Sequence, residues 1–436
     1  MTTSLLTDHY ELTMVRAAIH SGVHNRRSVF EMFARHLPEG RRYGIVAGAG
    51  RLLDALDEFR FSEADIDFLQ RAGIADEALT QWLANYRFTG SIWGYPDGEA
   101  YFPDSPILIV EGTFAEAVVL ETLALSIYNY DCAVASAASR MTSMAGGRPC
   151  IEMGSRRTSE WSAVGAARAA YIAGFASTSN LQAGARYGIP TAGTAAHSFV
   201  LLYDTEQAAF QAQLATLGDD TTLLVDTYDV EKAVRTGVSL TNGQLGAVRI
   251  DSGDLAELAV SVRRLLDSLG ATKTRIIVTS DLDEYQIAAL RGAPVDGFGV
   301  GTSLVTGSGA PTCAFVYKLV ARADSDAPDA PLVPVAKLST GKISIGGRKY
   351  AMRRIDQRGR ATAEVIGVGS PPPSLEGNYR NLLVKLVDHG QVVGREPLSK
   401  ARDRHVASVA ELPLVAQKMS RGEPAIETIF QGGTGE

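Results

Sequence analysis

The chain has 436 residues, of which 45% are hydrophobic and 21% charged, the proportions of a globular protein with a sizeable core rather than of a disordered chain. A formal net charge of -7 argues against a broad nucleic-acid-binding face, although local groups of arginine and backbone N–H still suit small anions. Three widely spaced cysteines, Cys132, Cys150 and Cys313, with no CxxC, offer neither a disulfide framework nor a zinc site and fit a reducing compartment.

The opening "MTTSLLTDHYELTM" has no basic segment leading into an apolar run. No stretch reaches the ~18 consecutive apolar residues of a spanning helix, so a cytoplasmic location is expected. "SVFEMFARHLP" alternates as a strand does, and "GIVAGAGRLLDALDEF" reads as a helix. From Phe88 to Val110, turn residues and aromatics alternate, which predicts short strands and hairpins. "EGTFAEAVVLETLALSIYNY" has the apolar spacing of a long helix.

From Cys150 the texture changes. Seven short apolar runs end in polar residues: "CIEMGSRR", "GFASTSN", "GIPTAGT", "TLLVDTYD", "GAVRIDSGD", "RIIVTSDLD" and "DGFGVGT". Strand, polar loop and helix in repetition predict an α/β fold, an irregular TIM-like α/β barrel, with its site at the C-terminal strand ends. Those ends carry Arg156, Ser179, His197, Asp226, Arg249, Asp251, Asp281, Gly299 and Gly301. Beyond them, the Asp/Ala/Pro stretch Ala321 to Pro334 reads as an exposed connection. "KLSTGKISIGGRKYAMRR" reads as β-rich, "NLLVKLVDHGQVV" as a hairpin and "LSKARDRHVASVAELPLVAQKM" as a closing helical region. The expected organisation is a barrel domain over 113–325, inserted between segments 1–112 and 326–436 that together build a second α/β sandwich domain.

The chemistry lies in the loops. In "GAVRIDSGD", Ser252 or Asp254 could cap the following helix, whereas Arg249 and Asp251 precede the cap, and the acidic side chains at this strand end suit a sugar diol or Mg²⁺. "DGFGVGTSLVTGSG" matches neither a Walker loop nor G-x-G-x-x-G, but its glycines would let backbone N–H groups approach a phosphate. A tight turn explains them equally well. Arg156 and Arg157 suit a carboxylate or phosphate, or a solvated surface pair. His197, in "GTAAHSFV", has no partner at metal-ligand spacing, and no G-x-S-x-G elbow supplies a hydrolase nucleophile.

Taken in order, "LLTDHYELTM", "FEMFARHLPEGRRYGIVAG", "VEGTFAEAVVLETL", "EMGSRR", "STSN", "GTAAHSFV", "RIDSGD", "GVGTSLVT" and "YKLV" resemble the nicotinate phosphoribosyltransferases over roughly the first three quarters of the chain. The resemblance implies a type II phosphoribosyltransferase fold, a homodimer with shared active sites, Mg²⁺, and coupling to ATP hydrolysis. It implies that nicotinate and phosphoribosyl pyrophosphate give nicotinate mononucleotide and pyrophosphate in NAD salvage. It places the family's phosphorylated histidine on His197 and the ribose hydroxyls on Asp251. Asp281 would lie beside the ribose or metal, and Gly299, Gly301 and Thr302 around the 5′-phosphate. Arg156 and Arg249 would line the base and phosphate pocket. Tyr10 would stack on the base from the partner subunit, and Arg35 would reach the diphosphate across the interface.

Alternatives remain. A nicotinamide phosphoribosyltransferase would need an acidic group at Ser179, where a hydroxyl instead suits a carboxylate substrate. A quinolinate enzyme would need more basic residues for two carboxylates. An inactive homologue could sense a phosphorylated metabolite. A barrel lyase or aldolase would call for a lysine at a strand end, and the seven runs contain none.

Overall fold

Six of the seven apolar runs become strands: Cys150–Glu152, Ser177–Thr178, Thr222–Leu224, Ala247–Ile250, Arg275–Val278 and Gly297–Val300. The structure, a computed structural model, describes residues 2–327, 329–337, 344–372 and 378–432. The six strands form one sheet in which every neighbouring pair is parallel. The first strand, Cys150–Glu152, lies between the second and the last, so the sheet curls back towards its own start and forms a half-barrel. Its edges are Ser177–Thr178 and Thr222–Leu224. The run "GIPTAGT", expected as a strand, contributes only a parallel bridge between Thr178 and Thr191. Gly188 there ends the preceding helix in a left-handed conformation (φ 67°), and Pro190 has no N–H to give a ladder.

Branched apolar side chains drive these strands, which are buried between helices: Val248, Ile250, Ile276, Val278, Phe298 and Val300 are all essentially inaccessible. The following loops start helices with side-chain caps. Asn180 accepts from Ala183 N–H, Thr205 from Ala208, Asp229 from Lys232, Asp254 from Ala256 and Glu257, and Asp283 from Tyr285 and Gln286.

Two compact units divide the chain: Ala137–Pro311, which holds the parallel sheet, and Met1–Ser136 with Thr312–Glu436. These bounds differ from the expected boundaries near residues 113 and 325. In the second unit Arg27–Ala34 is central to a seven-stranded antiparallel sheet, flanked by Leu108–Thr113 and Phe315–Ala323. That pairing keeps residues 315–323 with the N-terminal segment. The alternation expected around Phe30 is absent from the burial, since both faces of this strand are covered.

The Ala321 to Pro334 stretch is largely exposed, as expected, but its two ends are strand rather than connection. Leu332–Pro334 folds back antiparallel onto Phe315–Ala323, with Ala321 opposite Pro334, and Ala321 and Ala323 are buried. "GIVAGAGRLLDALDEF" divides into the short strand Gly44–Ile45 and the helix Ala49–Asp57. The expected long helix is split. A capping box on Thr113 and Glu116 opens Phe114–Val118, and Glu121–Ala145 follows. By length and composition Phe114–Ala145 could cross a membrane, but 67% of its most apolar window is buried, as in a core helix. A four-stranded sheet contains Lys349–Ile355 and Ala361–Val368, while residues 338–343 of the β-rich segment lie outside the described residues. Val384–Asp388 and Gln391–Val392 form the expected hairpin, its turn made by His389 and Gly390 at positive φ. Leu398–Glu411 is the closing helix.

Candidate active site

The parallel strands deliver their polar residues to one end of the sheet, where three loops meet around His197. This histidine begins the short helix His197–Leu201. Its Nδ1 lies 3.1 Å from the Thr227 hydroxyl, and its Nε2 lies 3.9 Å from both Asp226 Oδ1 and Asp251 Oδ2. The imidazole side chain is 40% exposed, whereas the Asp226 side chain is only 4% exposed. A side-chain carbon added at Gly193, upstream of the histidine, would meet no atom within 4 Å. The ring is therefore neither a packed core residue nor free: it is oriented from two sides and open on a third.

Asp226 and Asp251 come from adjacent strand ends and are tied together. Asp226 Oδ2 accepts from the Asp251 N–H at 2.9 Å and from the Ser252 hydroxyl at 2.7 Å. Asp226 Oδ1 is buried with no hydrogen-bond partner among the described residues, and it faces His197. Asp251 Oδ1 accepts from the Thr279 hydroxyl of the next strand, which leaves its other oxygen turned to the histidine. Arg249, two residues earlier, lies on the same face of its strand as Asp251. It donates to the Thr194 hydroxyl. Burial pushes its guanidinium down from the ordinary value, Asp251 and Asp226 pull it back up, and Arg156 pushes it down again. It remains a cation, so the site pairs a fixed positive charge with two carboxylates.

The other sequence candidates are placed less tightly. Arg156 is exposed in the turn after Cys150–Glu152, near enough to Arg249 to repel its charge. Ser179 has an exposed side chain, and its N–H donates to the Glu152 carbonyl at 2.8 Å. Asp281 is exposed and follows Ser280, which has φ 131°; Asp283, not Asp281, caps the next helix. Gly299 has a packing role: a Cβ there would fall 2.5 Å from Thr279 Cγ2 and 2.7 Å from Met153 Sδ. Gly301 precedes the short helix Thr302–Val305, and Thr302 is exposed. Both positions leave backbone accessible at the last strand end.

Tyr10 and Arg35 belong to the other unit. Tyr10 is 45% exposed, on the helix His9–His20 that Asp8 caps. Burial, and then the charge and hydrogen bond of Glu121, push its phenol well above the ordinary value, so it stays neutral. Arg35 stands over the Phe33 ring, 5.8 Å from its centroid, and its buried Nε has no hydrogen-bond partner among the described residues.

Asp226 stands among the strand-end residues of the sequence without a role, and three further contributors are not singled out there at all. Thr227 and Thr279 orient the histidine and Asp251. Glu152, wholly buried at the first strand end, accepts from the Gly154 N–H and the Thr178 hydroxyl. Among the described residues no group of three or more His, Cys, Asp or Glu converges as a ready metal cage.

Residues 5–129 match the family model of the nicotinate phosphoribosyltransferase N-terminal domain. The chain is 54% identical over 432 residues to nicotinate phosphoribosyltransferase pncB1 of Mycobacterium tuberculosis, covering 97% of this chain and 94% of that protein. It is 37% identical over 365 residues to nicotinate phosphoribosyltransferase of Bacillus subtilis, covering 81% and 74%. The crystal structure of human nicotinic acid phosphoribosyltransferase shares the fold, with a TM-score of 0.81 at 24% identity over 98% of this chain and 97% of that one. The chain belongs to the nicotinate phosphoribosyltransferase family.

Proposed function

We propose that this protein transfers the phosphoribosyl group of phosphoribosyl pyrophosphate to nicotinate and couples the transfer to ATP hydrolysis through His197. Family membership supports the transfer. The observation that carries the coupling is the half-open imidazole, held by Thr227 and faced by Asp226 and Asp251.

In the transfer, the pyridine nitrogen lone pair forms the bond to C1′ of the ribose. The C1′–O bond breaks, and pyrophosphate leaves with the electron pair. The nucleophile needs no deprotonation, which agrees with a site lacking a hydrolase triad. Positive charge grows on the ribose ring, so positioning and electrostatics supply the rate. Asp251 is the acceptor for the ribose hydroxyls and adds negative charge beside that ring. Asp281 stands next to the ribose or metal. Backbone at Gly301 and Thr302 takes the 5′-phosphate, with Gly299, expected to share that role, instead buried in the strand behind them, and Arg249 and Arg156 take phosphate or base carboxylate. The Ser179 hydroxyl can donate to that carboxylate, where an acidic group would repel it.

In the coupled step, an imidazole nitrogen forms a bond to the ATP γ-phosphorus and ADP leaves with the electrons of the broken P–O bond. Water later releases phosphate from the phosphohistidine. The exposed side of the imidazole leaves it accessible to the incoming group. Mg²⁺ would screen the phosphate charges. The orphaned Asp226 Oδ1 is the kind of oxygen donor such an ion accepts, alongside substrate phosphates.

The same reading takes the half-barrel as the wall of an irregular α/β barrel and the chain as one half of a homodimer. Tyr10 of the partner subunit would then stack on the base, and Arg35 of the partner subunit would approach the diphosphate. A cytoplasmic location goes with the three free, buried cysteines.

His197→Ala tests the coupling. The variant is expected to keep slow synthesis of nicotinate mononucleotide and to lose its stimulation by ATP. Initial rates with and without ATP measure this, and full stimulation in the variant would remove His197 from the role.

A further inference from the structure

Glu152 is fully buried at a strand end, and the transfer itself makes no use of it. Burial pushes its carboxyl upward, while Thr178 and Gly154 hold it down. Its two oxygens serve different loops. One accepts from the Gly154 N–H, in the turn that presents Arg156. The other accepts from the Thr178 hydroxyl, one residue before Ser179.

The link continues from there. The Thr178 hydroxyl also accepts from the Asn180 N–H at 2.9 Å. Asn180 Nδ2 donates at 3.0 Å to the Ser155 hydroxyl, back in the first loop. The Asn180 side-chain oxygen accepts from Ala183 N–H at 2.8 Å, which anchors the loop to the helix behind it. The result is a closed ring of hydrogen bonds joining the loop of Arg156 to the loop of Ser179. Gly154 is fixed from the other side as well, since a Cβ there would lie 2.2 Å from Val305 Cγ1. A buried acceptor with both oxygens engaged is rigid, because losing either bond strands a polar group away from water.

We propose that Glu152 is a positioning residue for the base pocket: by holding the loops of Arg156 and Ser179 in register it sets nicotinate affinity and discrimination against nicotinamide without touching substrate. The proposal rests on the assignment of Arg156 and Ser179 to the base. Glu152→Gln places an amide N–H₂ against a donor, and Thr178→Val keeps the shape but deletes the hydroxyl.

Steady-state kinetics of both variants, with nicotinate and then phosphoribosyl pyrophosphate varied, tests the idea. Nicotinate KM is expected to rise about tenfold or more in each variant, as for a sub-ångström misplacement of a binding group. The phosphoribosyl pyrophosphate KM should change less than about threefold, the nicotinate-to-nicotinamide rate ratio should fall, and the double variant should be no worse than the weaker single one, because both break one network. An unchanged nicotinate KM in Thr178→Val overturns the proposal, even where Glu152→Gln fails to fold. Parallel rises in both KM values with a lower melting temperature also overturn it, because they indicate general loosening. Arg156→Ala and Ser179→Ala, measured alongside, separate the two levels. If they leave nicotinate KM unchanged, the base-pocket assignment itself fails; if they raise it while Thr178→Val does not, only the positioning role of Glu152 fails.

Discussion

Asp251→Asn is expected to lower kcat/KM for nicotinate mononucleotide synthesis by about 10²–10³, comparable to deleting a preorganised charge-stabilising group. The native carboxylate is oriented by Thr279 at one oxygen and faces His197 Nε2 at the other, 3.9 Å away. It is one of two acidic groups that oppose the lowering, by burial, of the pKa of the half-buried Arg249. The amide removes the negative charge beside the developing ribose cation and turns a donor towards either Thr279 or the sugar hydroxyls. Because the side chain is 34% exposed, folding should be little affected. Rates at saturating Mg²⁺ and ATP, with a melting curve as control, measure the effect. A loss under tenfold in a stably folded variant would exclude Asp251 from the ribose site.

Arg353→Met is expected to cost about 3–5 kcal/mol of stability, the usual effect of removing one partner from a buried ionic network. Arg353 is fully buried in the strand Lys349–Ile355. It donates to Glu99 and to the Ala100 carbonyl, both at 2.8 Å, and to Glu364. Arg380 joins Glu99 to Glu411 at 2.8 and 2.7 Å. Without Arg353, Glu364 loses its only ion-pair partner among the described residues and Glu99 keeps one arginine of two. Burial alone would raise the Glu99 pKa, but the two arginines outweigh it and bring the carboxyl from 4.5 to about 2. A folded pKa below the unfolded one stabilises the protein above about pH 4.5 and ceases to do so as pH falls towards 2. Urea unfolding of wild type and variant at neutral pH measures the change. A loss below about 1 kcal/mol would show that the network is energetically dispensable.

The βα loops show why some of this site was legible in sequence and some was not. "DTYD", "DSGD" and "DLD" each carry two carboxylates behind an apolar run. The second of each, Asp229, Asp254 and Asp283, caps the following helix, a local role that spacing reveals. The first of each is left over at the strand end, but only the sheet order brings Asp226 and Asp251 together while leaving Asp281 exposed. Glu152 looks like any strand residue, because its burial depends on loops distant in sequence. The segment from Ala321 to Pro334 is legible in part: its Asp/Ala/Pro content marks an exposed link, but the strand ends on either side of it are set by pairing, Ala321 and Arg322 with the distant strand Arg27–Ala34 and Leu332–Pro334 with its own neighbour.

Incubating the purified protein with phosphoribosyl pyrophosphate, Mg²⁺ and either nicotinate or nicotinamide, with and without ATP, and quantifying the mononucleotide formed tests the activity, the choice of base and the coupling together. The expected product is nicotinate mononucleotide, formed faster with ATP, with little product from nicotinamide. Equal or better use of nicotinamide, or no turnover of nicotinate under any condition, would contradict this expectation.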